Sequence, residues 1–156
     1  MLIQSMTRQA SIELLARAKV SRLACAHEGQ PYITPMSFIY QSGCLYSFSS
    51  VGQKITWMRA NPLVCVEAEE LVNRQDWATV IVLGRYEELT KTDNDADRTL
   101  AYDLLHRRPM WWEPGYAKTV IEGKERPLED GVYFRVRTSR ITGHRASPDT
   151  DSRPGE

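Results

Sequence analysis

The sequence predicts a mainly β fold with flanking helices, an α+β class in which about six antiparallel strands close into a barrel. Two observations indicate this class. Strand-like segments follow one another at short spacing with turn residues between them, and helical patterns occur at the start, in the middle and late in the chain. The regular alternation of strand and helix that builds a parallel sheet is missing. We expect one domain over residues 1–145.

The first half of the chain is predicted to contain one helix and a three-stranded meander. Residues 7–19 place apolar side chains at helical spacing, and Thr7 can cap the helix. The strands are separated by turns that contain Glu28-Gly29 and Ser42-Gly43. They are predicted at residues 21–27, 32–40 and 44–49.

The second half is predicted to add two helices and three strands. A short helix begins at Lys54 and ends before Asn61-Pro62, because the residue before a proline is pushed out of helical conformation. A second helix is predicted at residues 93–106, and strands at residues 63–69, 77–89 and 131–144. The strand over residues 77–89 carries apolar side chains on both faces, so both faces are expected to be mostly buried. Residues 146–156 are polar and are predicted to form a disordered tail.

Composition excludes several classes of function. The chain has 156 residues, 42% of them hydrophobic, which suffices for one packed core. Its 20 basic and 20 acidic side chains give no net charge, so neither nucleic acid nor an anionic membrane is an expected partner. No apolar run approaches the roughly 18 residues of a membrane helix, and a cytoplasmic location is expected. Cys25, Cys44 and Cys65 lack paired spacing and are predicted to be reduced core thiols.

The strongest local signal for chemistry is the segment in which a strand runs into hydroxyl residues and a glycine before a helix begins. Ser49 and Ser50 can donate hydrogen bonds, Gly52 permits close approach, and Lys54 adds a charge beside the helix amides. A terminal phosphate monoester fits this set. The same residues also fit an ordinary turn in which serines cap the helix and Lys54 is solvated, and spacing alone does not separate the two.

A second feature is Pro35, which interrupts a predicted strand. Proline cannot donate to a strand ladder, so it belongs at a sheet edge or at a place where the strand faces a ligand. Both alternatives, an edge strand and a strand lying along a planar heteroaromatic ligand, remain open from the residues alone. His27, His106 and His144 lack the spacing of metal ligands, and no metal site is predicted.

Three segments in this order carry a resemblance to a known family: PYITPMSFIY, then LYSFSSVGQKITWMRANPLVCVE, then DWATVIVLGRYEEL. Together they resemble the FMN-binding split-barrel family that includes pyridoxamine 5′-phosphate oxidase. The similarity is strongest to the branch of nitroimidazole-resistance (Nim-type) flavin-nucleotide-binding proteins, and it spans roughly residues 10 to 142. The resemblance implies a six-stranded split β-barrel with FMN bound at a homodimer interface.

The resemblance also implies which residues bind the cofactor. The strand of Thr34, Pro35, Met36 and Ser37 would lie along the flavin ring. The phosphate would be bound by the residues that match the family's phosphate segment, which are Phe48, Ser49, Ser50, Gly52, Gln53 and Lys54. The residues that match a third motif near the flavin's polar edge are Trp77, Thr79 and Val80. Gln53 stands where relatives commonly have arginine, and Phe48 stands where many Nim-type sequences have histidine.

Three hypotheses about function follow from this resemblance. The first is an FMN-dependent oxidoreductase that acts on a small molecule, with a reduced nicotinamide nucleotide as electron donor. The second is a non-catalytic flavin-binding or flavin-sensing module, which would tolerate the loss of polar groups such as the histidine. The third is a split barrel that binds a deazaflavin or haem instead. No side chain is assigned as a catalytic acid or base.

Overall fold

Antiparallel strands dominate the structure, a computed structural model that describes residues 1–108, 118–127 and 131–149. The helices are α1 (Arg8–Arg17), α2 (Gln53–Ala60) and α3 (Asp95–His106). The main sheet has eight strands, which are β1 (Leu2–Ser5), β2 (Ser21–His27), β3 (Gln30–Met36), β4 (Ile39–Gln41), β5 (Cys44–Ser50), β6 (Leu63–Asn73), β7 (Asp76–Leu89) and β10 (Gly131–Ser147). A separate hairpin is formed by β8 (Lys118–Ile121) and β9 (Lys124–Pro127).

The main sheet has the strand order β3-β2-β6-β7-β10-β5-β4, and its neighbouring strands are antiparallel. The longest strand, β10, pairs with β7 along one edge and with two different strands along its other edge. Its first half pairs with β5 and its last four residues pair with β1. The pairing with β7 shifts register between Thr138 and Arg140, the place where the strand bends.

The two ends of this strand order are joined by a very short connection. Only Ser37 and Phe38 separate the end of β3 from the start of β4. Seven strands laid flat would place the end strands about 29 Å apart, whereas three residue steps span at most about 11 Å. The sheet therefore curls until its two ends meet, which confirms the predicted barrel class.

Hydrogen bonds fasten the place where the ends meet. The Ser47 hydroxyl donates to the Ser37 carbonyl at 2.6 Å, and the Ser37 hydroxyl donates to the Lys19 carbonyl at 3.2 Å. Ser47 belongs to β5, and Lys19 lies just before β2. We call this set of three residues the seam. Through Ser37 in the β3–β4 connection, the seam joins β5, near one end of the strand order, to the start of β2, near the other end.

The core fills the inner face of the curled sheet. Two helices contribute to it: α1 buries Leu14 and Leu15, and α2 buries Ile55 and Met58. The largest fully buried strand residues are Phe134, Leu23, Met36, Leu45, Val66, Val80, Val82 and Val136. The predicted cap of α1 is confirmed, since the Thr7 side chain accepts a hydrogen bond from the Ala10 amide at 3.1 Å.

A second, smaller apolar cluster lies where α3 packs on the outer face of β5 and β10. It includes Tyr46, Tyr133 and Leu105. The buried Arg135 lies at its edge and pairs with Glu87 at 2.6 Å and with Asp97 of α3 at 3.2 Å. The helix is thus held by apolar packing and by an ion pair between the buried Arg135 and the partly exposed Asp97.

Two hairpins confirm the predicted turns. Both central residues of each turn have positive φ: 50° and 76° at Glu28 and Gly29, and 50° and 79° at Ser42 and Gly43. This combination matches the twist of antiparallel strands, and glycine adopts it without strain at the second position.

The predicted strand count and some boundaries need correction. Six strands are predicted and eight form the main sheet. The predicted strand at 32–40 divides into β3 and β4, because Ser37 leaves the ladder to form the seam. β1 has four exposed residues and no alternation, so only its pairing with β10 reveals it. Ala146 and Ser147, placed in the predicted tail, belong to β10, and residues 150–156 lie outside the described residues.

The seam should contribute measurably to stability. Ser47 is fully buried, so Ser47→Ala leaves the Ser37 carbonyl without this donor in a dry environment. We expect a loss of about 1–3 kcal/mol in the free energy of unfolding, measured by urea denaturation. Ser139→Ala is the matched control, since its exposed hydroxyl donates to the Leu83 carbonyl at 2.9 Å and should change stability by less than about 0.5 kcal/mol. Equal losses in the two variants would contradict a special role for the seam.

Candidate functional site

The N-terminus of α2 has no side-chain cap. Gly52 precedes the helix, and the first helical hydrogen bond joins the Thr56 amide to the Gly52 carbonyl at 3.0 Å. The amides of Gln53 and Lys54 therefore have no acceptor within the helix and carry partial positive charge at its end. A Cβ atom at Gly52 would meet nothing within 4 Å. Gly52 itself is therefore not crowded by any described residue.

The serines before α2 do not act as caps. Ser49 is fully buried, and its hydroxyl donates to the Ser50 carbonyl at 3.0 Å. Ser50 is half-buried, and within residues 1–108, 118–127 and 131–149 no side chain accepts a hydrogen bond from the first turn of α2. The alternative of a serine-capped turn is therefore wrong, and the helix end keeps its capacity for an anion.

Lys54 lies in the first turn of α2 and is half-buried. Burial lowers the pKa of its amine, and the nearby Cys25 thiol of β2 acts in the opposite direction. Burial raises the pKa of Cys25, whereas Lys54 lowers it. Within the described part of the chain, no carboxylate forms an ion pair with Lys54. The cation is thus partly desolvated beside a thiol that stays neutral.

Four residues at the end of β3 were predicted to contact the flavin ring, and their side chains lie on both faces of the sheet. Pro35 is exposed on the outer face, and Thr34 is half-buried on the inner face opposite Leu23. Met36 and Ser37 are buried. β3 is an end strand of the sheet order, which is where a proline is tolerated. A ligand at this edge would meet Pro35 and backbone groups rather than the Met36 side chain.

The predicted residues of β7 also lie on both faces. Trp77 and Thr79 are half-buried on the outer face, and Val80 is fully buried on the inner face. One lateral row of the inner face runs across four strands, through Val80, Ala68, Ser21 and Met36. Met36 and Val80 thus share a row, but three strand spacings, or about 14 Å along the sheet, separate them.

Phe48 lies apart from the other residues of the phosphate segment. Its ring packs against Tyr133 with a centroid distance of 4.6 Å and covers Gly131, where an added Cβ would meet the ring at 1.6 Å. Side chains alternate along β5, so Phe48 and the inward-facing Ser49 are on opposite faces. The aromatic ring is therefore part of the α3 cluster and not of the helix end.

The structure reveals an apolar outer face that sequence reasoning took to be buried. Exposed fractions are 61% for Ile33, 63% for Leu63 and 44% for Leu83, and Ile81 is also exposed. One lateral row of this face consists of Ile33, Ala24, Cys65 and Leu83. The two-sided apolar pattern of β7 was the available signal, and the described residues leave Ile81 and Leu83 on one side of the strand exposed. We call these exposed side chains, Ile33, Leu63, Ile81 and Leu83, the outer apolar patch.

The described ranges contain neither a metal-binding cluster nor a membrane-spanning helix. No group of three or more His, Cys, Asp and Glu side chains there is arranged to hold a metal ion. Among the helices of those ranges, none has the length and apolar character to cross a membrane.

Known proteins are similar to this one over nearly its whole length. A protein of Rhizobium meliloti strain 1021, named uncharacterized protein RA0666, is 37% identical over 150 residues, which are 94% of this chain and 97% of that protein. The crystal structure of an FAD-binding protein from Mesorhizobium loti is 36% identical, with a TM-score of 0.76, and the match covers 94% of this chain and all of that chain.

A more distant structure shares the fold alone. It is a candidate 5-nitroimidazole antibiotic resistance protein from Bacteroides thetaiotaomicron, 18% identical with a TM-score of 0.65, and the match covers 92% of this chain and 89% of that one. The predicted resemblance is confirmed by a family model described as pyridoxamine 5′-phosphate oxidase, which matches residues 7–145. The chain therefore belongs to the pyridoxamine 5′-phosphate oxidase-like family of split β-barrel proteins.

Proposed function

We propose that this protein is a flavoprotein that binds FMN through its phosphate at the N-terminus of α2. The observation that carries the proposal is Lys54, a half-buried cation without a carboxylate partner in the described ranges, beside uncapped helix amides. Burying a cation is unfavourable unless an anion compensates it. A phosphate monoester supplies that charge and accepts hydrogen bonds from the amides. Gln53 at the same end adds a neutral donor instead of a second cation.

FAD is a second candidate, favoured by one relative. The Mesorhizobium loti protein, 36% identical, is described as FAD-binding. FMN and FAD share the ring, the ribityl chain and the first phosphate, so both are compatible with the same helix end. FAD adds a second phosphate and adenosine, which would have to find contacts outside the residues discussed above.

The proposed activity is that of an oxidoreductase acting on a small molecule. When bound, the flavin would accept hydride from a reduced nicotinamide nucleotide and pass electrons to the substrate. The chain's own contribution is to hold the phosphate at Lys54 and to present the β3 edge at Pro35 to the ring. Trp77 and Thr79 lie on the outer face, where they would border a cofactor shared with a second subunit.

A homodimer is part of the proposal because of the outer apolar patch. Contiguous exposed apolar side chains on a sheet face are typical of an interaction surface. The patch involves β3, β6 and β7, so it adjoins Pro35 and Thr79 on the same outer face. A second copy on this face would bury the patch and bring its own β3 and β7 to the same region.

Purified protein should carry a flavin, and this tests the proposal directly. We expect a visible absorption spectrum of bound flavin, and mass analysis of the material released by heat should identify FMN. Loss of colour under NADH or NADPH, followed by recovery with a quinone or nitroaromatic acceptor, would distinguish an enzyme from a non-catalytic binder. A colourless protein that takes up neither FMN nor FAD would refute flavin binding, and a deazaflavin or haem in the released material would identify the other cofactor class.

Lys54→Ala should weaken FMN binding by about 1.5–3 kcal/mol, because a charge-assisted contact to the phosphate is lost. Fluorescence titration of the apoprotein measures this change. The difference from the wild-type protein should narrow at alkaline pH, since the wild-type amine then loses its charge, and it should do so at a lower pH than for an exposed lysine because burial lowers the pKa of this amine. Lys91→Ala, at an exposed lysine, is the control and should bind FMN normally. Unchanged affinity in Lys54→Ala would remove Lys54 from the site.

Leu83→Glu should convert the proposed dimer into a monomer, because it places a charge within the outer apolar patch. Sedimentation velocity measures the molecular mass. Val20→Glu is the matched control, since Val20 is 42% exposed and Leu83 is 44% exposed, but Val20 lies in the α1–β2 connection. A wild-type monomer that binds flavin would refute the dimer and leave the cofactor proposal standing.

A further inference from the structure

The C-terminal end of α2 is fastened to β7 by a hydrogen-bonded group of three side chains. Arg59 forms a bidentate ion pair with Glu88, with Nε to Oε2 at 2.8 Å and Nη2 to Oε1 at 2.7 Å. The Tyr86 hydroxyl donates to the same Oε2 at 2.9 Å. We call these three residues the clamp. Its hydrogen bonds to Glu88 hold the pKa of that carboxyl below its ordinary value, with Arg59 as the main cause.

The clamp acts at the end of α2 that is opposite to the proposed phosphate site. Two buried side chains fix the helix in the core, Ile55 in its first turn and Met58 in its second. Polar contacts concentrate at its C-terminal end, where the Asn61 side chain also donates to the Ala26 carbonyl at 3.0 Å. At the N-terminal end Lys54 has no carboxylate partner among the described residues, and no side chain caps the helix. The core contact of Ile55 thus anchors the first turn, and the polar side-chain contacts that fix the direction of the helix lie at the far end.

The length of α2 makes this arrangement effective. Eight residues span about 12 Å, so the helix is a short rigid body of about two turns. When such a rigid body tilts about Arg59, its first-turn amides move by a distance that grows with the angle of the tilt. Hydrogen bonds to a phosphate weaken steeply when distance and angle depart from their optimum, so such a displacement would reduce phosphate affinity.

We propose that Arg59, Glu88 and Tyr86 are positioning residues that hold α2 in the orientation in which its N-terminal amides and Lys54 meet the flavin phosphate. This inference rests on the proposed function and adds to it a group that need not touch the cofactor.

Two explanations predict opposite effects of a neutral residue at Glu88 on the affinity for FMN. Glu88→Gln removes a negative charge from the end of the barrel where α2 lies, and electrostatics alone would strengthen the binding of an anionic phosphate. If the clamp positions α2, the loss of the bidentate pair weakens that binding instead. The sign of the change thus separates the two explanations.

The experiment compares FMN with riboflavin, which has the same ring and ribityl chain but no phosphate. Apoprotein is titrated with each compound and flavin fluorescence is recorded. For Glu88→Gln we expect FMN to bind about fivefold to tenfold more weakly, a change of about 1–1.4 kcal/mol, while riboflavin affinity changes by less than about twofold. Arg59→Lys keeps the charge but loses the bidentate geometry, and Tyr86→Phe removes one hydrogen bond, so both should show smaller losses confined to FMN.

A matched control is available at α1, where an arginine and a glutamate form a similar ion pair. Arg17 of α1 and Glu70 of β6 form the same bidentate pair, with distances of 2.5 and 2.7 Å, and the arginines are exposed to similar extents, 44% for Arg17 and 47% for Arg59. Glu70→Gln removes an equal charge and an equal helix-to-strand pair. We expect it to leave both FMN and riboflavin affinity unchanged.

The outcomes separate this inference from the proposed function. Unchanged or tighter FMN binding by Glu88→Gln would overturn the inference, as would equal losses for FMN and riboflavin or an equal FMN loss in Glu70→Gln. If Glu88→Gln fails to fold, as judged by circular dichroism, Arg59→Lys and Tyr86→Phe decide the same question. If the wild-type protein binds neither FMN nor FAD, the proposed function itself has failed.

Discussion

The structure depends on one covalent constraint, the connection of only two residues between β3 and β4. These strands are the first and last of the sheet order, so Ser37 and Phe38 can join them only if the sheet curls through its whole width. The curl creates an inner face that α1 and α2 help to fill. β3 ends the strand order, and Pro35, which has no backbone N–H to donate to a further strand, is tolerated there. The seam of Ser47, Ser37 and Lys19 stabilises the closed form with hydrogen bonds, because no strand ladder spans the gap between β3 and β4.

In the closed sheet, the two ends of α2 have different surroundings. The helix enters the core through Ile55 and Met58, its C-terminal end is held by the clamp, and at its N-terminal end the described residues provide no side-chain cap. A helix held in this way can present its first-turn amides and Lys54 to a ligand. The fold thus explains how the proposed phosphate site could be rigid without a side-chain cap.

Sequence patterns predicted the fold class, the α1 cap, two turns and the segment at Lys54, because each depends on residues close together in the chain. The features that were missed depend on distant pairing. β1 shows no alternation and exists only because β10 offers it an edge. The division of residues 32–40 follows from the seam, in which Ser37 is bonded to residues 10 and 18 positions away. The clamp joins Arg59 to a residue 29 positions away, and no local pattern indicates that pairing. The burial of both faces of β7 was predicted from the pattern of a single strand, which does not show whether the covering surface belongs to the same chain.

The distribution of cations explains why Lys54 stands out in a chain of zero net charge. In the described ranges, every ion pair that joins two different helices or strands uses arginine, as at Arg17, Arg22, Arg59 and Arg135. Arginine is suited to this role, since its planar guanidinium pairs with a carboxylate through two hydrogen bonds and is weakly hydrated. A lysine amine is strongly hydrated and loses more when it is half-buried without a partner. The carboxylates of Glu67, Glu70, Glu87 and Glu88 are occupied by these arginines, so the chain does not use them to compensate Lys54. No carboxylate of the described residues pairs with Lys54, and the phosphate of the proposed flavin would supply the compensating anion.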